Sequence, residues 1–359
     1  MQPADGALGP IAGLMADPEV TEIMINGPGQ VYVERGGVME LSGVRFASDE
    51  ELRRLIELVL RPSGRAVSSA SPYADFRLAD GSRGNVVIPP VAVNGPAVTI
   101  RKFTRTLRSV DDLVEAGTLS PQMAMLLAAA VAARANVIFS GATGTGKTTT
   151  LGILSRHIPP GERIVLIEDT AELTLQQPHV VSMECRRANL EGKGEVTMAE
   201  LVRNSLRMRP TRIIVGEIRG AEAVDMLQAI SSGHEGCLAV LHASSPVDAI
   251  SRLEMMLLSR GLMLPLWAVH RQIAGAIDLV VQHDLLIDGT RKITRITELA
   301  GVAGDRVKLE DLYVYRRQGA DEARREVGRW ICSGRRPGFA DKCERFGVDL
   351  PPESYAATD

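Results

Sequence analysis

The chain has 359 residues, 45% of them apolar and 24% charged, with a net charge of −3, which fits an ordinary globular protein long enough for two domains. This balance excludes a disordered chain, and the mild negative charge excludes a global field that recruits nucleic acid. The longest apolar run, residues 123–133, is shorter than the ~20 residues of a membrane span, and the first basic residue is Arg35, so neither a spanning segment nor a secretory signal is expected.

Residues 1–20 are rich in Pro, Gly and Ala around a short apolar patch at 11–15, which predicts a loosely held start and a small helix. From Glu22 the pattern becomes a meander: apolar runs at 23–25, 31–33 and 38–41, separated by Asn26-Gly27-Pro28-Gly29 and Arg35-Gly36-Gly37. Ser48-Asp49-Glu50-Glu51 is a capping-box signature, and Leu52, Leu55, Ile56, Val59 and Leu60 follow at helical spacing. Residues 75–78 and 83–88 flank the turn Ala79-Asp80-Gly81-Ser82, with a third strand at 97–101. An α+β domain is therefore expected over 1–104, then a linker over 105–118 that contains a short helix beginning at Val110.

From 119 to 359 the pattern changes to alternation. Helix 121–133, strand 136–140, helix 147–157, strand 164–167, helix 197–208, strand 212–215 and helix 221–231 predict a parallel sheet with crossover helices, the strands being continuous apolar runs. Pro246 at a first helical position and Gly261 beyond the end bracket a helix over 246–260. A helix over 264–274 follows, then strands at 277–281, 292–299 and 307–314 that read as closing antiparallel strands, and a polar tail. Cys185, Cys237, Cys332 and Cys343 form no C-x-x-C pair, so reduced thiols are expected, and the Arg335-Arg336 pair between Gly334 and Pro337 reads as a basic surface turn.

Gly141-Ala142-Thr143-Gly144-Thr145-Gly146-Lys147-Thr148-Thr149 stands between a predicted strand and helix. This is the pattern of a phosphate-binding P-loop: glycines let backbone N–H groups face phosphate oxygens, Lys147 reaches the β- and γ-phosphates, and the Thr148 hydroxyl reaches Mg²⁺. Hydrolysis also needs carboxylates near the metal and the attacking water. Glu168-Asp169-Thr170-Ala171-Glu172 and Glu217 supply them at strand ends, where open α/β sheets bind ligands. His234 and His242 flank the apolar run 237–241, too far apart for a helix-face metal pair; a neutral imidazole there suits a hydrogen-bonding sensor of the γ-phosphate.

In fixed order, 141–149, 167–173, 214–220 and 233–243 resemble the Walker A, Asp, Walker B and His boxes of the ATPases of type II secretion, type IV secretion and type IV pili. The chain is most similar to the CpaF-type ATPases of tight-adherence (Tad/Flp) pili, through Val20-Thr21-Glu22-Ile23-Met24-Ile25-Asn26-Gly27-Pro28, Thr99-Ile100-Arg101-Lys102-Phe103, Val202-Arg203-Asn204-Ser205-Leu206-Arg207-Met208-Arg209-Pro210 and Pro337-Gly338-Phe339-Ala340. The resemblance implies a RecA-like P-loop NTPase domain of α/β class behind a smaller α+β domain. It further implies a homo-hexamer with ATP and Mg²⁺ between the domains, cytoplasmic and peripheral to an inner-membrane platform, with no direct role for nucleic acid. Residue by residue, Gly141, Thr143, Gly144, Thr145, Gly146, Lys147, Thr148 and Thr149 would hold nucleotide, and Thr148, Glu217 and Asp169 the metal. Glu168, Glu217 and His242 would serve catalysis, with Arg83 and Arg101 reaching the phosphates from the first domain. The general base is not divided between Glu168 and Glu217. Cys237 stands where the family usually has Ser and Ser244 where it has Asn, and the tetracysteine module of type II secretion ATPases is missing. A type IV secretion traffic ATPase shares all four boxes and is the alternative; a small-molecule kinase and a scaffold without turnover are rivals of other classes.

Overall fold

The computed structural model describes residues 8–102, 107–186, 188, 193–259, 264–321 and 326–358. The expected loose start at 1–7, positions 105–106 of the expected linker, and Gly261 as a helix stop lie outside the described residues. The chain divides into two compact units that part between Thr106 and Leu107.

In the first unit, α1 (Ala12–Ala16), β1 (Val20–Asn26), β2 (Val31–Arg35), β3 (Val38–Leu41), α2 (Asp49–Leu60), β4 (Tyr73–Arg77), β5 (Arg83–Val87) and β6 (Ala97–Arg101) follow in order. The strands form one antiparallel sheet in the order β3-β2-β1-β6-β5-β4. Alternation puts Ile23, Ile25, Val31, Val33, Val86, Val98 and Ile100 into a core shared with Leu52, Leu55, Ile56, Val59 and Leu60 of α2, so the period of 2 in the strands meets the period of 3.6 in the helix. Ser48 caps α2 by accepting from the Glu51 N–H at 3.3 Å, while the Glu51 carboxylate accepts from the Ala47 N–H rather than from Ser48 itself.

The second unit continues with α3 (Val110–Glu115), α4 (Pro121–Ala132), β7 (Val137–Gly141), α5 (Lys147–Leu154), β8 (Ile164–Glu168), β9 (Val180–Glu184), α6 (Met198–Ser205), β10 (Arg212–Ile218), α7 (Glu222–Ser231), β11 (Leu238–His242), α8 (Pro246–Leu258), α9 (Leu266–Ala276), β12 (Leu279–Leu285), β13 (Arg291–Ala303), β14 (Arg306–Ala320), β15 (Glu326–Cys332) and α10 (Ala340–Phe346). Its nine-stranded sheet has the order β15-β14-β13-β12-β7-β11-β10-β8-β9. Strands from β12 to β9 run parallel, with α4 and α5 packed over one face and α7, α8 and α9 over the other. Among the described residues no helix is long and apolar enough to cross a membrane.

Two strands escape the sequence reading, and a third is misassigned. β9 is an edge strand whose residues are only half-buried or exposed, so it lacks the long apolar run by which the inner strands announce themselves. β15 lies in the tail read as polar; it is held by the Trp330 indole N–H donating to the Ile293 carbonyl at 2.7 Å and by the Tyr315–Trp330 ring pair at 5.3 Å. The run at 277–281 is no antiparallel closing strand on both sides: β12 pairs parallel with β7 and antiparallel with β13, and so joins the two halves of the sheet.

At the amino edge of the parallel strands a charge is fully buried. Arg212 donates from Nε to Glu162 Oε2 at 2.6 Å and from Nη2 to the Ala132 carbonyl at 3.2 Å, tying the start of β10 to the end of α4. Removing one partner of a buried pair strands the other charge. Glu162→Ala is therefore expected to destabilise the protein by about 3–5 kcal/mol in urea unfolding, and Arg212→Met by less, because Glu162 keeps a second guanidinium, Arg134 Nε at 3.4 Å; equal costs would contradict this account.

Candidate active site

The P-loop forms because β7 ends on a residue that must be glycine. A Cβ on Gly141, at φ +150°, would stand 2.4 Å from the His283 carbonyl oxygen and 2.7 Å from Thr145 Oγ1. Gly146, at φ +95°, caps α5 and leaves the first-turn N–H groups facing the loop. Lys147 is 5% exposed, its ammonium donating to the Ala142 carbonyl at 2.6 Å, and the Thr145 hydroxyl donates to the same carbonyl at 2.9 Å. Arg291, from β13, donates to the Gly144 carbonyl at 2.7 Å. Thr148 is half-buried, whereas Thr143, Gly144 and Thr149 are exposed.

The acids arrive on neighbouring strands, β8 and β10, paired through Ile167 and Val215. Glu168 is buried, and its Oε1 accepts from the backbone N–H of Glu172 at 2.9 Å and of Leu173 at 3.0 Å, so it fixes the loop that follows it. Gly216 makes room for it, since a Cβ there would stand 2.7 Å from Glu168 Cγ. Glu217 faces His242: His242 Nε2 lies 3.1 Å from Glu217 Oε1, and His242 Nδ1 lies 3.5 Å from Thr143 Oγ1 in the P-loop. Burial, then the Lys147 charge, hold the His242 imidazole below its ordinary pKa. A neutral ring donates from Nε2 to the carboxylate and leaves Nδ1 to accept from Thr143, a tautomer assigned from these partners.

Burial pushes the Glu217 carboxyl up, but hydrogen bonds from Arg219 and the charges of Arg219 and Lys147 outweigh it and keep the group below the ordinary carboxylate range. Asp169 is exposed, 3.8 Å from Arg219 Nη1. The structure thus brings Thr143, Lys147, Glu217 and His242 together. His234 sits apart at the end of α7, its Nδ1 3.2 Å from the Ala229 carbonyl. Arg83 and Arg101 belong to the first unit, where they are cross-strand partners on β5 and β6, and Arg101 Nε donates to Glu22 at 2.8 Å.

These residues fit a nucleotide phosphate: a glycine-rich turn whose Gly144 and Gly146 take positive φ, a buried ammonium beside it and a helix start beneath it. Among the described residues no three His, Cys, Asp or Glu side chains cluster to hold a metal. Magnesium here would depend on phosphate oxygens and water besides Thr148, Glu217 and Asp169, which is how Mg²⁺ usually binds beside nucleotides.

A sequence profile of the family described as "Type II/IV secretion system protein" matches residues 5–330. The chain belongs to that family. A Mycobacterium tuberculosis protein named for conjugal transfer is 36% identical over 316 residues, covering 86% of this chain and 89% of the relative. The type IV secretion system protein VirB11 of Brucella suis is 33% identical over 311 residues, covering 79% and 86%. Among solved structures, the pilus retraction motor PilT with bound ADP is similar at TM-score 0.56 and 21% identity, over 78% of this chain and 79% of that one. That likeness shows the fold alone.

Three residues of this secretion-system protein carry no signal of their own in the sequence. Arg219 lies two places past Glu217, and Arg291 enters from a distant hairpin. His283 on β12 is fully buried behind Gly141; neither ring nitrogen has a hydrogen-bond partner among the described residues, and burial, then Lys147, push its pKa down to about 3. Between about pH 6.5 and 3 the unfolded chain binds a proton on this histidine that the folded chain refuses. Its contribution therefore lowers stability as pH falls through that window, by at most about 1.4 kcal/mol per pH unit. His283→Phe is expected to flatten the acid limb of stability measured by urea unfolding between pH 7 and 4.5; parallel limbs for the two proteins would contradict the burial of a neutral ring.

Proposed function

We propose that this chain is the ATP-hydrolysing traffic ATPase of a type IV secretion system of the conjugal-transfer kind, working as a homo-hexamer on a membrane-embedded platform at the cytoplasmic face. The observation that carries the reading is the bridge from P-loop to Walker B acid, Thr143 to His242 to Glu217, beside the buried Lys147. The named relatives support conjugal transfer or type IV secretion, the alternative drawn from the boxes; the tight-adherence pilus reading rests on the motifs of the sequence alone.

In this reading the loop N–H groups and the start of α5 hold the β- and γ-phosphates, and Lys147 meets their oxygens in place of the Ala142 carbonyl. Thr148, Asp169 and Glu217 would hold magnesium, which would neutralise charge on those oxygens. Glu217 orients the attacking water and takes its proton as the water oxygen bonds to the γ-phosphorus and the bond to the β-phosphate oxygen breaks. A weakly basic carboxylate suffices, because the transition state is loose and little proton transfer is needed early. Glu168 holds the neighbouring loop in place. His242 couples Glu217 to the P-loop, so that a change at the phosphates is felt at the acid.

Glu217→Gln is expected to bind a fluorescent ATP analogue while its phosphate release falls by about 10²-fold or more, and Lys147→Ala to lose both. A folded Glu217→Gln protein turning over at the wild-type rate would sink the mechanism.

A further inference from the structure

The Walker B carboxylate is already engaged at both oxygens. Arg219 donates from Nε to Glu217 Oε1 at 2.6 Å and from Nη2 to Oε2 at 2.7 Å, a bidentate fork, and His242 shares Oε1. Water or a metal ion approaching Glu217 competes with that fork.

The fork is built to be exchanged. The Arg219 backbone is fixed, since its N–H and that of Gly220, the latter at 2.7 Å, donate to the buried Glu222 carboxylate. Its side chain is 65% exposed, against 21% for Glu217, so a rotamer change of the arginine disturbs no core packing. Beside it lies a cavity of about 250 Å³ lined by Asp169, Cys185, Glu195, Thr197, Glu217 and Glu222, among others. Three acids besides Glu217 thus share the wall with Arg219 and a second guanidinium, Arg186, so acids still outnumber cations there, and Asp169 Oδ2 is already 3.8 Å from Arg219 Nη1.

We propose that Arg219 is a gate on Glu217: its guanidinium covers both carboxylate oxygens, and Glu217 turns to metal and water when Arg219 swings into the acidic cavity beside Asp169 and Glu195. The gate rests on the nucleotide-hydrolysis reading above. Arg219 touches neither substrate nor metal in this scheme; it is a positioning residue that sets when the acid is available. A permanent strut, the rival role, would hold Glu217 in its working orientation and leave the cavity irrelevant.

The two roles predict opposite signs for metal affinity. The full chain is loaded with one equivalent of a non-hydrolysable ATP analogue, and Mn²⁺ binding is read by electron paramagnetic resonance for wild type, Arg219→Ala and Arg219→Lys. The gate predicts Mn²⁺ binding about two- to fivefold tighter in Arg219→Ala, with Arg219→Lys, which keeps the charge but not the fork, in between. Equal or weaker Mn²⁺ binding in Arg219→Ala, with the analogue still bound, overturns the gate. A wild-type chain that binds no analogue removes the nucleotide site itself, and the gate falls with it.

Discussion

The structure depends on parallel strand pairing in a fixed register, with one irregularity between Val215 and Ile218 where β10 meets β11. His242 is paired with Gly141 across β11 and β7, and Val215 with Ile167 across β10 and β8. Parallel ladders put all carboxyl ends on one edge, so the P-loop, His242, Glu217 and Glu168 emerge side by side although they are far apart in sequence. A slip of one residue in β10 would exchange its two faces and turn Glu217 away from His242. Gly216 protects that register, because any side chain there would collide with Glu168.

The two edges of the sheet divide the work. At the amino edge, Arg212 and Glu162 are buried and mutually paired, and there the chain can tolerate a rigid charge because nothing must move. At the carboxyl edge, Glu217, Arg219, Asp169 and His242 are partly exposed, and their pairings are of the kind that water and phosphate can replace. The same residue types thus stand in different dielectric surroundings at the two edges.

Much of the candidate site is legible in the sequence. The P-loop is local: its glycines, Lys147 and Thr148 act through backbone turns set within nine residues, so spacing alone reveals them. Glu168 and Glu217 were legible as acids ending apolar runs, but their different surroundings were not, since burial and loop hydrogen bonds come from tertiary packing. Arg291, His283 and the cavity beside Arg219 join segments more than a hundred residues apart or depend on side-chain rotamers, and no local pattern encodes either. For the fold, inner strands were legible as continuous apolar runs, whereas β9 and β15 at the sheet edges carry mixed sequences that burial on one side permits.

The central claim is that this edge hydrolyses a nucleotide rather than only holding one. The most direct measurement is product stoichiometry from the wild-type chain given ATP and Mg²⁺ with no phosphoryl acceptor. The account predicts equal amounts of ADP and free phosphate, with production stopped by chelating the metal. Absence of phosphate under these conditions, or phosphate unaffected by chelation, would contradict it.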